Sequence, residues 1–403
     1  MNFSTHFYNE KTSLNKIVIL KKNEDRRILR GHLWAFSNEI SEIKGDPNAG
    51  DVVELLDHAG QFLGRGFYNP HSLIAVRLLT RQEEEIDAQF YHRRIESALT
   101  LRKHLYPSSD TFRLAHGESD FLPGLIIDKY NEYFSVQTFS FGMDQRLQLI
   151  CDVLESMFHP KGIIERNEAL TRQLDGLPQK KGILRGSVEP VTIIEHNIKY
   201  EVDILEGQKT GFFLDQRENR LMIRRYCNGA RVLDCFCCDG GFALNAANAG
   251  ASQVIGVDIS EPTIHRATNN AKLNNVVPLI EFHPVDAFTW LKEAVIDNQQ
   301  FDVVILDPPS FAKNKRTLSK ARRGYREINL SAFQLLKPGG ILATASCSHH
   351  MTEETFLGII QECSLKTARS IRLLEWHGAA PDHPVLPAMP ETQYLKLGIF
   401  QID

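Results

Sequence analysis

Beyond Arg231 the 403-residue chain alternates strand and helix, and several of the strands are continuous runs of Val, Ile and Leu. RVLDCF, QVIGVD, LIEFHPVDA, FDVVILD and GGILATASC are predicted as strands, with GFALNAANAG and EPTIHRATNNAKLNN as the first helices between them. Strands that are apolar on both faces need helices over both faces of their sheet. The expectation is a doubly wound α/β domain over residues 206–403. In such sheets the ligand lies beyond the carboxyl ends of the strands, where strand order reverses. The strand ends here carry Asp234, Asp258, Asp286 and Asp307.

The rest of the chain reads differently. From Asn15 to about Thr80, short apolar segments such as DVVELLD and LIAVRLL are broken by turns, which predicts a small, barrel-like β module over 15–88. Asp87 to Leu105 reads as a helix that buries Phe90, Ile95, Ala98 and Leu99 and leaves Arg93, Arg94 and Lys103 for solvent. It opens a central α+β domain over 89–205, with two strands around Lys129–Glu132 and a helix through Gln145–Met157. In IKYEVDI the alternation puts Ile198, Tyr200, Val202 and Ile204 on one strand face.

Two domains or more follow from length. The start, MNFSTHFYNEKTSLNK, has no apolar stretch of signal length, and no run is long enough to span a bilayer, so a cytoplasmic protein with reduced thiols and no membrane contact is expected. A net charge of −4 argues against indiscriminate coating of nucleic acid, so any RNA contact must be local. The clearest basic stretch is Lys313–Arg326, which holds seven Lys or Arg residues and no acid. Taken alone, such a run is most simply a solvated helix face.

A carboxylate at the tip of the second strand, here Asp258, suits the ribose hydroxyls of an adenosyl or dinucleotide cofactor. NAD wants G-x-G-x-x-G with a helix N-terminus open to pyrophosphate, whereas this turn reads C-C-D-G-G with Asp239 inside it. That acid would repel a pyrophosphate. S-adenosylmethionine carries no phosphate, and its sulfonium and ammonium suit an acid-lined loop. Gly240 and Gly241 are expected to let the backbone approach the ligand closely. Helix capping would explain one or two of the acids, but not the set.

LDPPSF, Leu306–Phe311, cannot continue a buried strand because its prolines lack amide donors, so it is expected as a site loop with Phe311 placed for stacking. Cys347 ends the fifth strand beside the same cleft. Carbon 5 of a pyrimidine is too weak a nucleophile to attack a sulfonium methyl, but a thiolate added at carbon 6 turns the ring into an enamine-like nucleophile. Cys347 fits that role, with Lys313 or Arg323 as the expected cation that lowers its pKa and Asp307 on the base edge. The target base would leave its stack, gripped by the basic run through its flanking phosphates. Cys235, Cys237 and Cys238 have no second ligand pair at metal spacing, so no metal is expected. His349 and His350 are as well explained as a surface pair as by a role in substrate orientation.

RGHLWAFSNEI, GESDFLPGLIID, EGQKTGFFLDQRENR, RVLDCFCCDGGFA, LDPPSF, RRGYREIN, SCSHHM and DHPVLPAMPETQYLK run nearly the whole length. On these segments the chain resembles the PUA-domain 5-methylcytosine methyltransferases of bacterial large-subunit (23S) ribosomal RNA. The resemblance implies an N-terminal PUA module for RNA binding and a C-terminal class I methyltransferase domain that forms 5-methylcytidine. It implies Cys347 as the attacking thiolate, with Asp307 beside it, and Asp234, Gly240, Asp258 and Asp286 around the cofactor. Cys237, Gly241, Ile259, Ala287, Phe213, Gln216 and Arg217 complete the expected cofactor site. Pro308, Pro309, Phe311, Lys313, Arg322 and Arg323 form the expected substrate surface. Other RNA 5-methylcytosine enzymes carry a second cysteine in the loop after strand four, and LDPPSF has none, which leaves the base for the carbon 5 proton unassigned.

Two rival functions remain at this level: N-methylation of ribosomal RNA, such as guanine N7, which needs no thiolate, and a non-catalytic RNA-binding assembly factor. The RNA partner is naked or in an assembly intermediate, and the oligomeric state is open, a homodimer included.

Overall fold

A computed structural model describes residues 15–312 and 315–403, which form two compact units. The first comprises residues up to Val188 together with Val385–Pro390, and the second comprises Glu189–Pro384 and Glu391–Asp403.

The first unit holds two sheets. Strands β1 (Ile17–Leu20), β2 (Trp34–Phe36), β3 (Ile40–Lys44), β4 (Val52–Leu56), β5 (Phe62–Tyr68) and β6 (Ile74–Thr80) run in the order β2-β6-β5-β4-β1-β3, with the short helix α1 (Arg26–Leu29) before β2. Alternate residues of these strands, Val18, Leu20, Val53 and Leu55 among them, meet in one core with Met389. The burial of Met389 there explains why 385–390 belongs to this unit rather than to the domain that surrounds it in sequence.

Helix α2 (Ala88–Leu105) starts where the Asp87 carboxylate accepts from Phe90 N at 2.9 Å, satisfying an amide that the first helical turn leaves open. Behind it, β7 (Thr111–His116), β8 (Leu125–Tyr130), β9 (Tyr133–Thr138), β10 (Gly162–Asn167) and β11 (Lys180–Gly186) form the sheet β11-β10-β9-β8-β7, packed on α2, α3 (Phe141–Gln145) and α4 (Leu147–Phe158). Arg102 of α2 is wholly buried and grips Asp120 through two bonds of 2.5 and 2.6 Å. Breaking such a pair by removing one partner costs about 3–5 kcal/mol. Arg94 is half-buried rather than solvated, because its guanidinium lies 5.1 Å from the Phe90 ring centre and 5.5 Å from that of Phe121.

In the second unit the hairpin β12 (Val191–Glu195) and β13 (Ile198–Val202) buries Ile198, Tyr200 and Val202 on alternate positions. The units divide at residue 188, not at 205, since this hairpin bonds to the domain that follows it: Lys199 N donates to Asn274 Oδ1 and Glu201 N to Asn270 Oδ1. The main sheet, β16-β15-β14-β17-β18-β20-β19, is built from β14 (Arg231–Cys235), β15 (Gln253–Asp258), β16 (Ile280–Pro284), β17 (Phe301–Leu306), β18 (Leu336–Ser346), β19 (Ile371–His377) and β20 (Lys396–Ile402). β14 to β18 are parallel, and β20 is antiparallel to both its neighbours. Helices α5 (Arg217–Ile223), α6 (Gly241–Asn248), α7 (Glu261–Leu273), α8 (Ala287–Ile296), α9 (Leu318–Leu335) and α10 (Glu353–Thr367) complete the domain. Strand order reverses between β14 and β17, which brings Asp234 and Asp307 to one edge; Asp307 N donates to Cys235 O at 3.4 Å. Among the described residues no helix is long and apolar enough to cross a membrane.

Candidate active site

At that reversal lies a cavity of about 360 Å³, within the size range of small-molecule sites. Its wall brings together Phe213, Gln216, Cys237, Gly241, Asp258, Ile259, Asp286, Ala287, Asp307, Pro308, Pro309, Phe311 and Cys347, all singled out by sequence.

One half is built by the turn after β14. Phe236, Cys238 and Gly240 all take left-handed backbone conformations there, with φ of 63°, 49° and 83°. Packing against protein requires both glycines, and Gly241 also lines the cavity. A Cβ on Gly240 would meet Phe282 and Ala267 at 3.2–3.3 Å, and one on Gly241 would meet the Arg220 side chain at 2.8 Å. Asp239 is tied to Arg266 Nε at 2.8 Å. Asp258 accepts from Cys238 N and Ser260 N, and beside it Ile259 is 71% exposed on the cavity wall. Asp286 caps α8 by accepting from Thr289 N at 3.0 Å, so the helix-cap reading holds for this acid, which also lines the cavity.

Asp234 lies beneath the wall, wholly buried. Its Oδ2 accepts from Ala243 N at 2.9 Å while Oδ1 has no partner. Burial, and then the charges of Asp307 and Asp258, push its carboxyl well above the usual range. A buried acceptor without a donor costs free energy, and a cationic ligand at this spot would relieve it.

The other half comes from the segment before α5 and from the ends of β17 and β18. Gln216 Nε2 donates to Asp307 Oδ1 at 2.9 Å, and Asn219 Nδ2 donates to Gln216 Oε1 at 2.6 Å, which fixes the amide. Burial and then Asp215 push the Asp307 carboxyl up to about 7, against the downward pull of Lys209 and Arg220. Burial also raises the Cys347 thiol to about 11; Lys209 pulls it down, and Asp307 and Asp215 push it up. Lys209 Nζ bonds Asp215 Oδ2 at 3.2 Å and lies 4.3 Å from the Phe213 ring centre. Around Cys347, Ser348 Oγ bonds Ser310 Oγ at 2.9 Å and Ser346 Oγ donates to the Tyr325 hydroxyl at 3.0 Å, which ties the Pro-Pro loop to the end of β18. Phe311 packs 4.8 Å from Tyr325, and also against Phe288.

Several expected residues lie elsewhere. Arg217 is buried against Glu195, the carboxylate that Arg220 grips at 2.7 Å through Nε and Nη2. Burial would raise Glu195, but Arg220 and then Arg217 hold it below the usual range. Arg322 faces Glu362 of α10 at 3.5 Å, Arg326 reaches the same carboxylate at 3.6 Å, and Arg323 is exposed on α9. Lys313 lies outside the described residues. Cys235, Cys237 and Cys238 have thiols raised well above their ordinary value by burial, the state of inert thiols. No group of His, Cys, Asp and Glu suited to a metal occurs among the described residues.

Sequence reading missed Lys209, Asp215, Arg220 and Phe288. The first three share EGQKTGFFLDQRENR with residues that were identified, and a lysine three places before two aromatics, followed after Leu214 by Asp-Gln-Arg, was the available signal.

Comparison with known proteins shows a PUA-like domain over residues 18–81 and an S-adenosylmethionine-dependent methyltransferase domain over 179–396. A protein of Tolumonas auensis named ribosomal RNA large subunit methyltransferase I is 41% identical over 390 residues, covering 95% of this chain and 98% of its own. One of the same name from Klebsiella pneumoniae is 39% identical, with the same coverage. A methyltransferase crystallised with S-adenosylhomocysteine shares the fold, with a TM-score of 0.84 at 21% identity over 96% of this chain and 99% of that one.

Proposed function

Because the chain belongs to the large-subunit ribosomal RNA methyltransferase I family, we propose that it methylates carbon 5 of a cytosine in that RNA, with Cys347 as the activating nucleophile. One observation carries this reading: a thiol, a carboxyl group poised near neutrality and a lysine meet on one cavity wall. N-methylation would need only the carboxylate and the cofactor.

S-adenosylmethionine supplies an electrophilic methyl group for carbon 5. The acid-lined wall fits its two cations. Asp258 would take the ribose hydroxyls, and Ile259 and Phe288 the adenine, with the buried Asp234 beneath that wall.

The thiol of Cys347 stands near 11, so the free enzyme keeps it protonated at neutral pH. Asp307, near 7, takes that proton and passes it to N3 of the ring as negative charge develops there. The thiolate sulfur forms its bond to carbon 6, and the displaced electron pair makes carbon 5 nucleophilic. Lys209 lowers the Cys347 thiol and so favours the thiolate. Gln216, held by Asn219, keeps the Asp307 carboxyl in register. Pro308 and Pro309 stiffen the wall against which the extruded base rests. Arg323, one of the exposed residues of the basic run, is proposed to meet RNA phosphate.

Large-subunit RNA transcribed with 5-fluorocytidine tests this, because fluorine at carbon 5 cannot leave as a cation and the adduct persists. The expected result is a cofactor-dependent protein–RNA adduct that resists denaturant and maps to Cys347. Methylation of ordinary RNA without any such adduct would overturn the thiolate mechanism.

A further inference from the structure

A second cavity, about 370 Å³, lies wholly in the first unit, between the end of β6, helix α2 and the loop after β7. Phe90, Leu33 and Leu78 give it apolar walls, and Arg81, Arg93 and Arg94 face it against one acid, Glu84. Arg93 is paired with Glu84 at 2.5 Å. Arg81 donates to Ile28 O and Arg94 to Leu79 O at 3.0 Å, and neither makes an ion pair with a carboxylate among the described residues. An arginine does not shed its charge in a protein, and the one acid here, Glu84, is already paired with Arg93 while it also acts on Arg94, so this wall carries an excess of positive charge.

The rim of the cavity carries Phe121. Among the described residues it is the only Phe, Tyr or Trp that is exposed, at 42%. Its φ of 56° is a left-handed conformation that a bulky side chain disfavours. The loop is held in that shape from below: Asp120 is locked by the buried Arg102 and accepts from His116 N at 2.6 Å. A strained backbone that presents an aromatic ring to solvent, with the Arg94 guanidinium 5.5 Å from the ring centre, is a preorganised platform for a planar base next to a phosphate.

We infer that this cavity binds one nucleotide of a single-stranded RNA segment outside the methylated position, with the base stacked on Phe121 and its phosphates met by Arg81 and Arg94. The inference rests on the RNA reading above and adds to it a second point of contact, on the first unit.

Fluorescence anisotropy of a labelled single-stranded 12-mer RNA with the full chain tests it. Phe121→Gly removes the ring at a position where glycine is at ease, so the variant keeps its melting temperature. RNA affinity is expected to fall about tenfold, the effect of losing one stacked base, and Phe121→Tyr is expected to restore it. Arg94→Gln should lower the slope of log affinity against log salt by about 0.7, one phosphate contact on a single strand. If the wild-type protein binds the 12-mer and Phe121→Gly binds it within twofold, this inference fails and the RNA reading stands. If the wild-type protein binds no RNA, both fail. Binding of uridine monophosphate as tight as that of the 12-mer would overturn the inference in favour of a free-nucleotide site.

Discussion

Two cavities of nearly equal size, about 360 and about 370 Å³, carry opposite charge. The first sets Asp215, Asp239, Asp258, Asp286 and Asp307 against Lys209 and Arg220; the second sets Arg81, Arg93 and Arg94 against Glu84. The difference goes beyond sign. Burial first, and then the neighbouring charge of Asp215, push the Asp307 carboxyl up to about 7, so it holds a proton more readily. Burial lowers Arg81 and Arg94 too, yet guanidiniums start so high that they stay charged. The acidic cavity can therefore both bind a cation and move protons, whereas the basic one can only bind.

Cys347→Ala separates these roles most sharply. Turnover should drop about 10⁴-fold or more, while S-adenosylhomocysteine and RNA bind within about twofold of wild type, measured by single-turnover kinetics and calorimetry. Retained turnover would remove the thiol from the chemistry and favour N-methylation at the same cavity. Asp258→Asn comes next: cofactor affinity should weaken roughly 10- to 100-fold, the worth of charge-assisted bonds to hydroxyls, with RNA affinity unchanged. A matching loss of RNA affinity would show that the two cavities are not independent.

Proton handling gives the third test. The active state holds one proton on the pair of Cys347 and Asp307, so kcat/KM should rise about tenfold per pH unit up to about 7, level, and fall towards about 11. The same shift has a stability consequence. Because Asp307 titrates near 7 when folded and at its ordinary 3.8 when unfolded, the folded chain holds an extra proton between about pH 4 and 7. Its contribution thus declines as pH rises through that window. Melting temperatures at pH 5 and 8 should differ less in Asp307→Asn than in wild type. The smallest effect belongs to the basic cavity: Arg81→Gln should weaken RNA binding roughly threefold, leave cofactor affinity alone and reduce the salt slope.

How much of this was legible in the sequence depended on whether the signal was local. Continuous Val and Ile runs ending in Asp234, Asp258 and Asp307 mark buried parallel strands, and their ends line the reversal because the topology leaves them little choice. Alternation in IKYEVDI predicted the burial of Ile198, Tyr200 and Val202. Contacts that depend on folding in three dimensions were invisible. Nothing in the periodicity of α2 distinguishes Arg102, wholly buried on Asp120, from Lys103, which is exposed. Lys209, and not Arg323, is a cation that acts on Cys347, because the segment before α5 folds back onto the end of β18, an approach set by the tertiary fold. The described part of the basic run sits mostly on a helix face, with Arg322 and Arg326 turned towards Glu362, as the plain reading of a charge run suggests.

Nucleoside mass mapping of large-subunit RNA, methylated in vitro by the wild-type protein and by Cys347→Ala, bears most directly on the chemistry assigned to the acidic cavity. One 5-methylcytidine should form with wild type and none with the variant. Formation of a different methylated nucleoside, or of 5-methylcytidine by the variant, would contradict the role given to Cys347.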